Sequence, residues 1–478
     1  MQMFPNRWGR WKLSPNTRKP PWEATLICVC LGLVLGPVTG IAQTLHPLLT
    51  NGPVDQRLNL VVLSEGYTAG QLGQFLTDAT ALVETLLAAE PYASYRAGFN
   101  AFAISIASEQ SGADHPSQGT YRNTYFNSSY DSYGVGEYLT IPPNDRDPDV
   151  QHGTGRVMAL LDLLMPQCDL PILLVNDPLY GNSGGSVLVC SRSPANGDTV
   201  VHESGHTLAG LGDEYEEPVP GFPDVEEPNT TRETRRDLVK WKAWIEPTTP
   251  VPTPATTDYV QVTGLFEGAH YHTTGWYRPK LNCKMRDPAD PFCEVCQEAL
   301  VNRFYQKFRP VDGFLPGNTN LTFTAPGTHT FNVAPLLPTA ALEIRWSLDQ
   351  SILAGQTRTN LQLQLTELSN GQHRLRVEVR DTTSRVKSDP DGRLRQTVEW
   401  QLQITLPWLR LNWLEVLPGT DRLSVTGAVL SGVIIEGSTN LLHWRGVSTN
   451  SLKDGYLELG LPVNRNTQPR FYRARSSP

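Results

Sequence analysis

The segment Thr199–Tyr215, TVVHESGHTLAGLGDEY, decides how the rest of the chain is interpreted. Residues four apart lie on one face of a helix, so His202 and His206 can present two imidazoles to one metal ion. Glu203 projects beside them, where it can take a proton from metal-bound water. Because zinc lowers the pKa of that water to about 7, the pattern predicts one catalytic Zn²⁺ ion on this helix, with Glu203 as the general base.

The residues that follow supply a third ligand. Gly210 allows the chain to leave the helix in a left-handed conformation, and Asp213 offers a carboxylate three residues later. A helix, a glycine turn and then a third ligand are typical of the metzincin site. In the usual spacing the glycine would stand at Ala209, one residue earlier. We therefore predict Asp213 as the third ligand, with Glu214 as the alternative.

Met285 is the only methionine after this motif, and it lies in the segment NCKMR at 282–286. Metzincins have a methionine turn beneath the metal, so Met285 is predicted to pack under the imidazoles without coordinating. The alternative is an ordinary core methionine. Four further residues near glycine-bearing turns are expected to form a cleft wall or to supply an oxyanion donor, unless they serve only packing. They are His270, Tyr271, His272 and Tyr277.

Length and charge exclude several classes of protein. A chain of 478 residues is too long for one ordinary core, so two or three domains are expected. Hydrophobic residues make up 39% of it and charged residues 18%, as in globular proteins. A net charge of −8 and a pI near 5.7 argue against a nucleic-acid partner, which would need a basic face.

Residues 1–42 have the pattern of a cleavable signal peptide. Five basic residues precede the apolar stretch Leu26–Gly36, and small residues then stand at the positions that a signal peptidase reads. Cleavage is predicted between Ala42 and Gln43. The alternative is a membrane anchor, but the apolar stretch is shorter than the ~20 residues that a spanning helix needs. We therefore predict secretion, without stable membrane insertion after cleavage.

Five cysteines lie beyond this segment, which allows at most two disulfides. In an exported protein we expect a disulfide between Cys283 and either Cys293 or Cys296, and Cys168–Cys190 is the remaining candidate pair. Cys293 and Cys296 also form a CxxC pair of the kind found in structural zinc sites. No second CxxC pair accompanies it, so the sequence favours a disulfide.

The region from 43 to 312 has the pattern of an α/β domain, a mixed twisted sheet with helices. Short apolar strands alternate with runs of helical periodicity. The predicted elements are, in order, Asn59–Ser64, Thr68–Ala89, Asn100–Ala107, Val157–Leu164 and Leu170–Asn176. Val187–Cys190, just before the catalytic helix, is either an edge strand that could bind an extended substrate or an ordinary inner strand.

The remainder of the chain has a different pattern. Apolar and polar residues alternate between turn signals, as in Leu342–Leu348 and His373–Val379. This predicts all-β modules, a sandwich of the Ig or fibronectin type III kind at 313–405 and a small β-rich module at 406–478. Such modules either attach the protein to a substrate or surface, or act as a spacer.

Several islands of sequence stand in one order between about Asn59 and about Phe308. They include LSEGYT at Leu63–Thr68, VNDPLYG at Val175–Gly181, HESGHTLAGLGDEY at His202–Tyr215 and CKMRDPADPFCEVC at Cys283–Cys296. Together they resemble the IgA-peptidase family of zinc metallopeptidases, metallopeptidase family sixty-four. The resemblance implies a metzincin-type catalytic domain with zinc at His202 and His206. Relatives commonly carry Asp where this chain has Glu65, at a position expected to be structural.

Two functions are compatible with these patterns. The first is a secreted zinc-dependent endopeptidase that hydrolyses proteins or peptides; immunoglobulin A is not implied as its substrate. The alternative is a degenerate peptidase-like protein that binds or adheres through its β-modules. All the residues that catalysis needs occur in order, which favours the enzyme. The glycine-serine run Ser183–Ser186 lacks a nucleophile-elbow or phosphate-loop pattern, which argues against a serine hydrolase or nucleotide enzyme.

Overall fold

The structure is a computed structural model that describes residues 43–142, 153–219, 221–325, 327–406, 408–417, 419–427, 430–462 and 471–476. The predicted signal peptide, residues 1–42, lies outside these ranges. None of the helices in the described ranges combines the length and the apolar character needed to span a membrane.

A six-stranded mixed sheet forms the centre of the first part of the chain. Its strands, in chain order, are β1 (Thr44–Leu49), β2 (Leu58–Glu65), β3 (Phe99–Ser105), β4 (Leu170–Val175), β5 (Asn182–Ser183) and β6 (Leu188–Ser191). Their spatial order is β1-β3-β2-β4-β6-β5. The inner strands run parallel, whereas β1 and β5 run antiparallel to their neighbours at the two edges. The expected mixed sheet is therefore present.

Helices cover both faces of this sheet. In the described residues they are α1 (Leu72–Ala88), α2 (Gly153–Leu164), α3 (Gly197–Ala209) and α4 (Glu294–Phe304). All eight residues of β2 are buried, as expected for a strand inside a parallel sheet. Leu60 and Val62 pack into a core shared with α1, α3 and α4, whereas Val61 and Leu63 pack into a second core with α2. Successive side chains of β2 thus point to opposite faces of the sheet, and α3 lies on the same face of the sheet as α4.

The strand that precedes α3 is an inner strand. β6 pairs with β4 on one side and with β5 on the other. The edge-strand interpretation of Val187–Cys190 is therefore wrong, because the short strand β5 covers that side. A separate hairpin, β7 (Phe266–Ala269) and β8 (His272–Arg278), follows α3 in the chain.

The C-terminal part consists of two sandwich-like pairs of sheets. The first pairs a five-stranded with a three-stranded sheet around Trp346 and Trp400, and the second pairs two three-stranded sheets around Leu423 and Ile435. The strands are β9 (Val311–Leu315), β10 (Asn320–Phe323), β11 (Thr328–Pro335), β12 (Leu342–Leu348), β13 (Ser351–Ile352), β14 (Asn360–Gln364), β15 (Gly371–Asp381), β16 (Arg395–Ile404), β17 (Leu409–Leu417), β18 (Thr420–Gly427), β19 (Leu430–Ser438), β20 (Arg445–Leu452), β21 (Tyr456–Pro462) and β22 (Phe471–Ser476).

Hydrogen bonds join the first of these sandwiches to the sheet-and-helix part. The hydroxyls of Tyr95 and Tyr305 each donate to Oδ2 of Asp381 at 2.7 Å. Arg57, only 2% exposed, pairs with Asp312 at 2.6 Å. Because Tyr305 directly follows α4, the sandwich braces the end of that helix.

Candidate active site

Helix α3 carries His202 and His206. It ends at its C-cap, Gly210, as expected from the sequence. Gly210 has a φ of +63°, and its N–H donates to the carbonyl of His206 at 3.0 Å. Leu211 N–H then donates to the carbonyl of Gly205 at 3.2 Å. A left-handed residue at this position closes the last turn and redirects the chain. The redirected chain brings the carbonyl of Leu211 back to the helix.

The two imidazoles are held so that one nitrogen of each faces the other. Nδ1 of His202 donates to the carbonyl of Lys284 at 2.8 Å, and Nδ1 of His206 donates to the carbonyl of Leu211 at 2.6 Å. The two Nε2 atoms are 3.1 Å apart. Histidines that bind metal commonly donate their other ring N–H to a carbonyl, which fixes the tautomer. Both Nε2 atoms are therefore directed at one point.

Asp213 completes a triangle of donor atoms at that point. Its Oδ1 lies 3.2 Å from Nε2 of His202 and 3.3 Å from Nε2 of His206. Oδ1 is buried and makes no hydrogen bond to any described residue. For a tetrahedral zinc ion with ligands at 2.0–2.2 Å, neighbouring donors would be about 3.3 Å apart. The donor set therefore fits a cation of that size.

Glu214, the alternative third ligand, is directed elsewhere. Its Oε1 accepts a hydrogen bond from Nδ2 of Asn229 at 2.9 Å and lies 3.8 Å from Sγ of Cys296. Glu203 is the other carboxylate near the imidazoles, since its oxygen and their nitrogens lie within 4.8 Å of one another. Between the two candidates for the third ligand, Asp213 is the one with an oxygen within 3.3 Å of both Nε2 atoms.

Electrostatics couple the members of this cluster. Burial acts to lower the pKa of His206, but Asp213 outweighs it and raises that pKa to about 9. Burial acts to raise the pKa of Asp213, but the imidazoles of His206 and His202 outweigh it and hold that pKa well below its usual value. Burial raises the pKa of Glu203, against the two imidazoles, which act to lower it. A carboxylate that stays ionised between two basic rings suits the binding of a divalent cation.

Met285 lies beneath α3. It is fully buried, and a Cβ placed on Gly205 would be 3.1 Å from its sulfur. The carbonyl of Met285 accepts a hydrogen bond from the N–H of Glu214 at 2.8 Å. The neighbouring Lys284 carbonyl is the one that orients His202. This methionine segment therefore supports both the helix and the segment that carries Asp213.

A family model described as IgA Peptidase M64 matches residues 46–261 and 255–304, more than half of the chain. The chain belongs to the IgA peptidase M64 family. The resemblance inferred from the sequence islands is thereby confirmed. Membership in the M64 family supports a peptidase, a hydrolase whose substrate is protein.

Other comparisons add little to the M64 assignment. No curated protein matches the chain significantly. The fibronectin(III)-like modules of Clostridium thermocellum CbhA are similar at 10% identity and a TM-score of 0.15, over 32% of this chain and 78% of that one. Bacteroides uniformis beta-glucuronidase 3 is similar at 8% identity and a TM-score of 0.15, over 43% of this chain and 28% of that one. TM-scores this low carry no argument about fold or function.

The four cleft candidates of the M64 chain occupy different places. The hydroxyl of Tyr271 donates to Oδ2 of Asp213, so this residue lies at the site. His270 is buried and uses both ring nitrogens, one on a carboxylate oxygen of Glu227 at 3.0 Å and one on a backbone carbonyl at 2.9 Å. His272 donates from Nδ1 to the carbonyl of His270. Among the described contacts of the four, Tyr271 is the residue whose side chain hydrogen-bonds the cluster, and the backbone N–H of His270 donates to the carbonyl of Asp213 at 3.0 Å.

Tyr277, the last of the four, lies on β8. Its backbone N–H and carbonyl exchange hydrogen bonds with Thr231. Burial and the carboxylate of Glu267 raise the pKa of its hydroxyl. Its position fits packing of the hairpin.

Two features of the site were not singled out from the sequence. The ring of Tyr215 lies 6.1 Å from that of His202 in a tilted arrangement. Tyr215 is the last residue of the quoted motif and could have been noticed there. Gly184, in the glycine-serine run, lies against α3. A Cβ placed on it would be 2.6 Å from Oε2 of Glu203 and 3.1 Å from Cβ of His206. Because Gly184 has no side chain, this run leaves room for the Glu203 carboxylate.

Proposed function

We propose that this M64 chain is a secreted zinc-dependent endopeptidase with a metzincin-like active site. The observation that carries the proposal is the convergence of His202 Nε2, His206 Nε2 and Asp213 Oδ1, which lie 3.1–3.3 Å from one another. Three protein ligands leave one tetrahedral position open, as in catalytic zinc sites.

Each residue of the cluster has a role in this proposal. His202, His206 and Asp213 hold the ion, and Tyr271 orients the Asp213 carboxylate through Oδ2. Bound zinc would act as a Lewis acid and lower the pKa of a coordinated water. Glu203 accepts a proton from the attacking water and delivers it to the leaving amine. Burial raises the pKa of Glu203, which brings this base closer to working pH.

The order of parts along the chain supports the metzincin-like assignment. A helix with two histidines is followed by a left-handed glycine, a carboxylate and, later, a buried methionine beneath the helix. The glycine comes one residue later than usual. Asp213 still lies beside both imidazoles, so the shifted spacing is compatible with a metzincin-like third ligand.

Export is proposed from the N-terminal sequence, with its basic residues, apolar stretch and small residues before Gln43. The proposed substrate is a protein or peptide outside the cytoplasm, and immunoglobulin A is not implied. N-terminal sequencing of the protein recovered from its host's medium or envelope should give Gln43 first. A chain that keeps its N-terminus and stays in the cytoplasm would contradict export.

Metal content and proteolysis test the catalytic assignment. The wild type, Glu203→Gln and His202→Ala are compared for bound zinc, for cleavage of an unfolded protein and for circular dichroism. Glu203→Gln should keep its zinc and its fold but lose about 10²–10⁴-fold in kcat, the contribution of a general base. His202→Ala should lose one equivalent of zinc together with the activity.

Two outcomes would overturn this function. One is a wild type that binds no metal, and the other is a Glu203→Gln protein that cleaves as fast as the wild type. Either result would leave the peptidase-like fold acting as a binding protein.

A further inference from the structure

A second cluster of metal-binding residue types lies next to the active site. Cys283, Cys293, Cys296 and Glu214 each offer one ligand atom, and these atoms all lie within 4.8 Å of one another. All four residues are buried, with exposures of 0–4%. All five cysteines of the described chain are free. The expected disulfide between Cys283 and one of its neighbours is therefore absent, and three thiols surround a carboxylate.

The spacing of the ligand atoms fits a tetrahedral ion. Sγ of Cys283 is 3.6 Å from Sγ of Cys296, which in turn is 3.8 Å from Oε1 of Glu214. For zinc with sulfur at 2.3 Å and oxygen at 2.0–2.2 Å, tetrahedral geometry would separate two sulfurs by about 3.8 Å and sulfur from oxygen by about 3.6 Å. Both distances therefore agree with those edges, the sulfur–oxygen one through Oε1 of Glu214.

The carboxylate supplies an independent observation. Oε2 of Glu214 is buried and has no hydrogen-bond partner among the described residues, whereas Oε1 accepts from Asn229. Arg278 is a buried cation whose charge acts on Glu214, but its hydrogen bonds go to the carbonyls of Glu267 and Gly268, and it forms an ion pair with Glu216. A buried carboxylate is ordinarily paired with a cation or coordinated to a metal. The Glu214 carboxylate can therefore accept such a partner, through the free Oε2 or through the second lone pair of Oε1.

Three segments of the chain meet at this cluster. Glu214 follows Asp213, and Cys283 begins the turn that contains the Lys284 carbonyl and Met285. Cys293 is the N-cap of α4, and its N–H donates to Sγ of Cys283 at 3.4 Å. Hydrogen bonds of this kind orient metal ligands. The N-terminus of a helix also favours negative charge.

We propose that Cys283, Cys293, Cys296 and Glu214 bind a second divalent cation, of the zinc class, in a closed structural site. Thiolate ligands select soft or borderline cations such as Zn²⁺ over Mg²⁺ or Ca²⁺. Four protein ligands and complete burial leave no position for water, which is the mark of a structural site. The ion would fix the Asp213 segment and the methionine turn to α4.

Zinc stoichiometry of the full chain, purified without chelators, is the first test. Wild type and the control Cys168→Ser, which alters a thiol outside the cluster, should each contain two zinc ions per chain. Cys293→Ser and His202→Ala should each contain one. Zinc content is measured without reference to activity. A failure of this inference can therefore be distinguished from a failure of the catalytic proposal. If His202→Ala keeps all its zinc, the catalytic assignment fails while the second site stands.

Cobalt substitution keeps the inference testable if Cys293→Ser does not fold. Thiolate ligands give Co²⁺ an intense charge-transfer absorption in the near ultraviolet. The band should persist in His202→Ala, because the histidine site contains no sulfur. A wild type with a single zinc and no such band would overturn the inference, as would a Cys283–Cys296 or Cys283–Cys293 disulfide found by mass spectrometry.

Discussion

Asp213 and Glu214 are adjacent in the chain, yet they belong to two clusters of different character. Asp213 lies between two imidazoles, where its side chain is 13% exposed and that of His206 is 19% exposed. Glu214 lies among three cysteines and has no exposed surface. The first cluster is partly exposed to solvent, and the second is buried.

In the roles that we propose, this difference separates a site for chemistry from a site for structure. A cation held by three ligands keeps a position for water, whereas a cation held by four buried ligands has none. Because the two carboxylates are consecutive, whatever fixes Glu214 also limits where Asp213 can move. We therefore expect the closed cluster, formed by Glu214 and the three cysteines, to influence the geometry of the open cluster, formed by the two histidines and Asp213. Substitutions in one cluster at a time test this expectation.

The largest effect is expected when the two carboxylates are replaced one at a time. Asp213→Asn should lower zinc affinity at the histidines by more than about 100-fold, since residues that only orient ligands already contribute about 10- to 100-fold. Glu214→Gln should instead lower the melting temperature. A loss of about 2 kcal/mol would correspond to roughly 4–8 °C. Zinc content, peptidase activity and thermal unfolding of both variants distinguish the two effects.

The opposite pattern would exchange the two assignments. Glu214→Gln would then abolish activity at an unchanged melting temperature, and Asp213→Asn would retain both zinc ions and full activity.

A smaller effect is expected at Gly184, on the side of the open cluster. In Gly184→Ala the new methyl group would meet Oε2 of Glu203 and the ring of His206, so Glu203 must move. A displacement of about 1 Å at a catalytic group can cost about 100-fold in rate. We expect kcat to fall to that extent while both metals stay bound. Gly73→Ala is the matched control, since nothing lies within 4 Å of its new methyl group; equal rates for the two variants would contradict the prediction.

The residues around α3 could be found from the sequence because their relations are local. His202, Glu203 and His206 lie within one helix, and the glycine turn brings Asp213 back within a few residues. The choice between Asp213 and Glu214 was harder, because it depends on which way two consecutive side chains point. Tyr271 could not be selected from the four cleft candidates for a similar reason. The conformation of the β7–β8 hairpin decides which of their side chains reaches Asp213, and the sequence does not specify it.

The closed cluster could not be assembled from spacing. Glu214 and Cys296 are 82 residues apart, and the CxxC pair lacks a second pair that would complete a familiar zinc motif. The expectation of export favoured a disulfide instead, and this was wrong for the described structure. Gly184 was missed because a glycine-serine run resembles any flexible turn until its distance from Glu203 is known.

The smallest effect is expected at Tyr271, which supports the open cluster as Asn229 supports the closed one. In Tyr271→Phe, Asp213 loses the hydroxyl that donates to Oδ2, while Oδ1 can still face the imidazoles. Loss of an outer partner of a metal ligand lowers affinity by about 10- to 100-fold, and we expect the lower end because the other two ligands keep their backbone acceptors. Competition with a chelator measures the zinc affinity. Tyr277→Phe is the control on the same hairpin, since its hydroxyl interacts with Glu267. If both variants hold zinc equally well, Asp213 does not need the tyrosine, and the open cluster is held in place from the closed side alone.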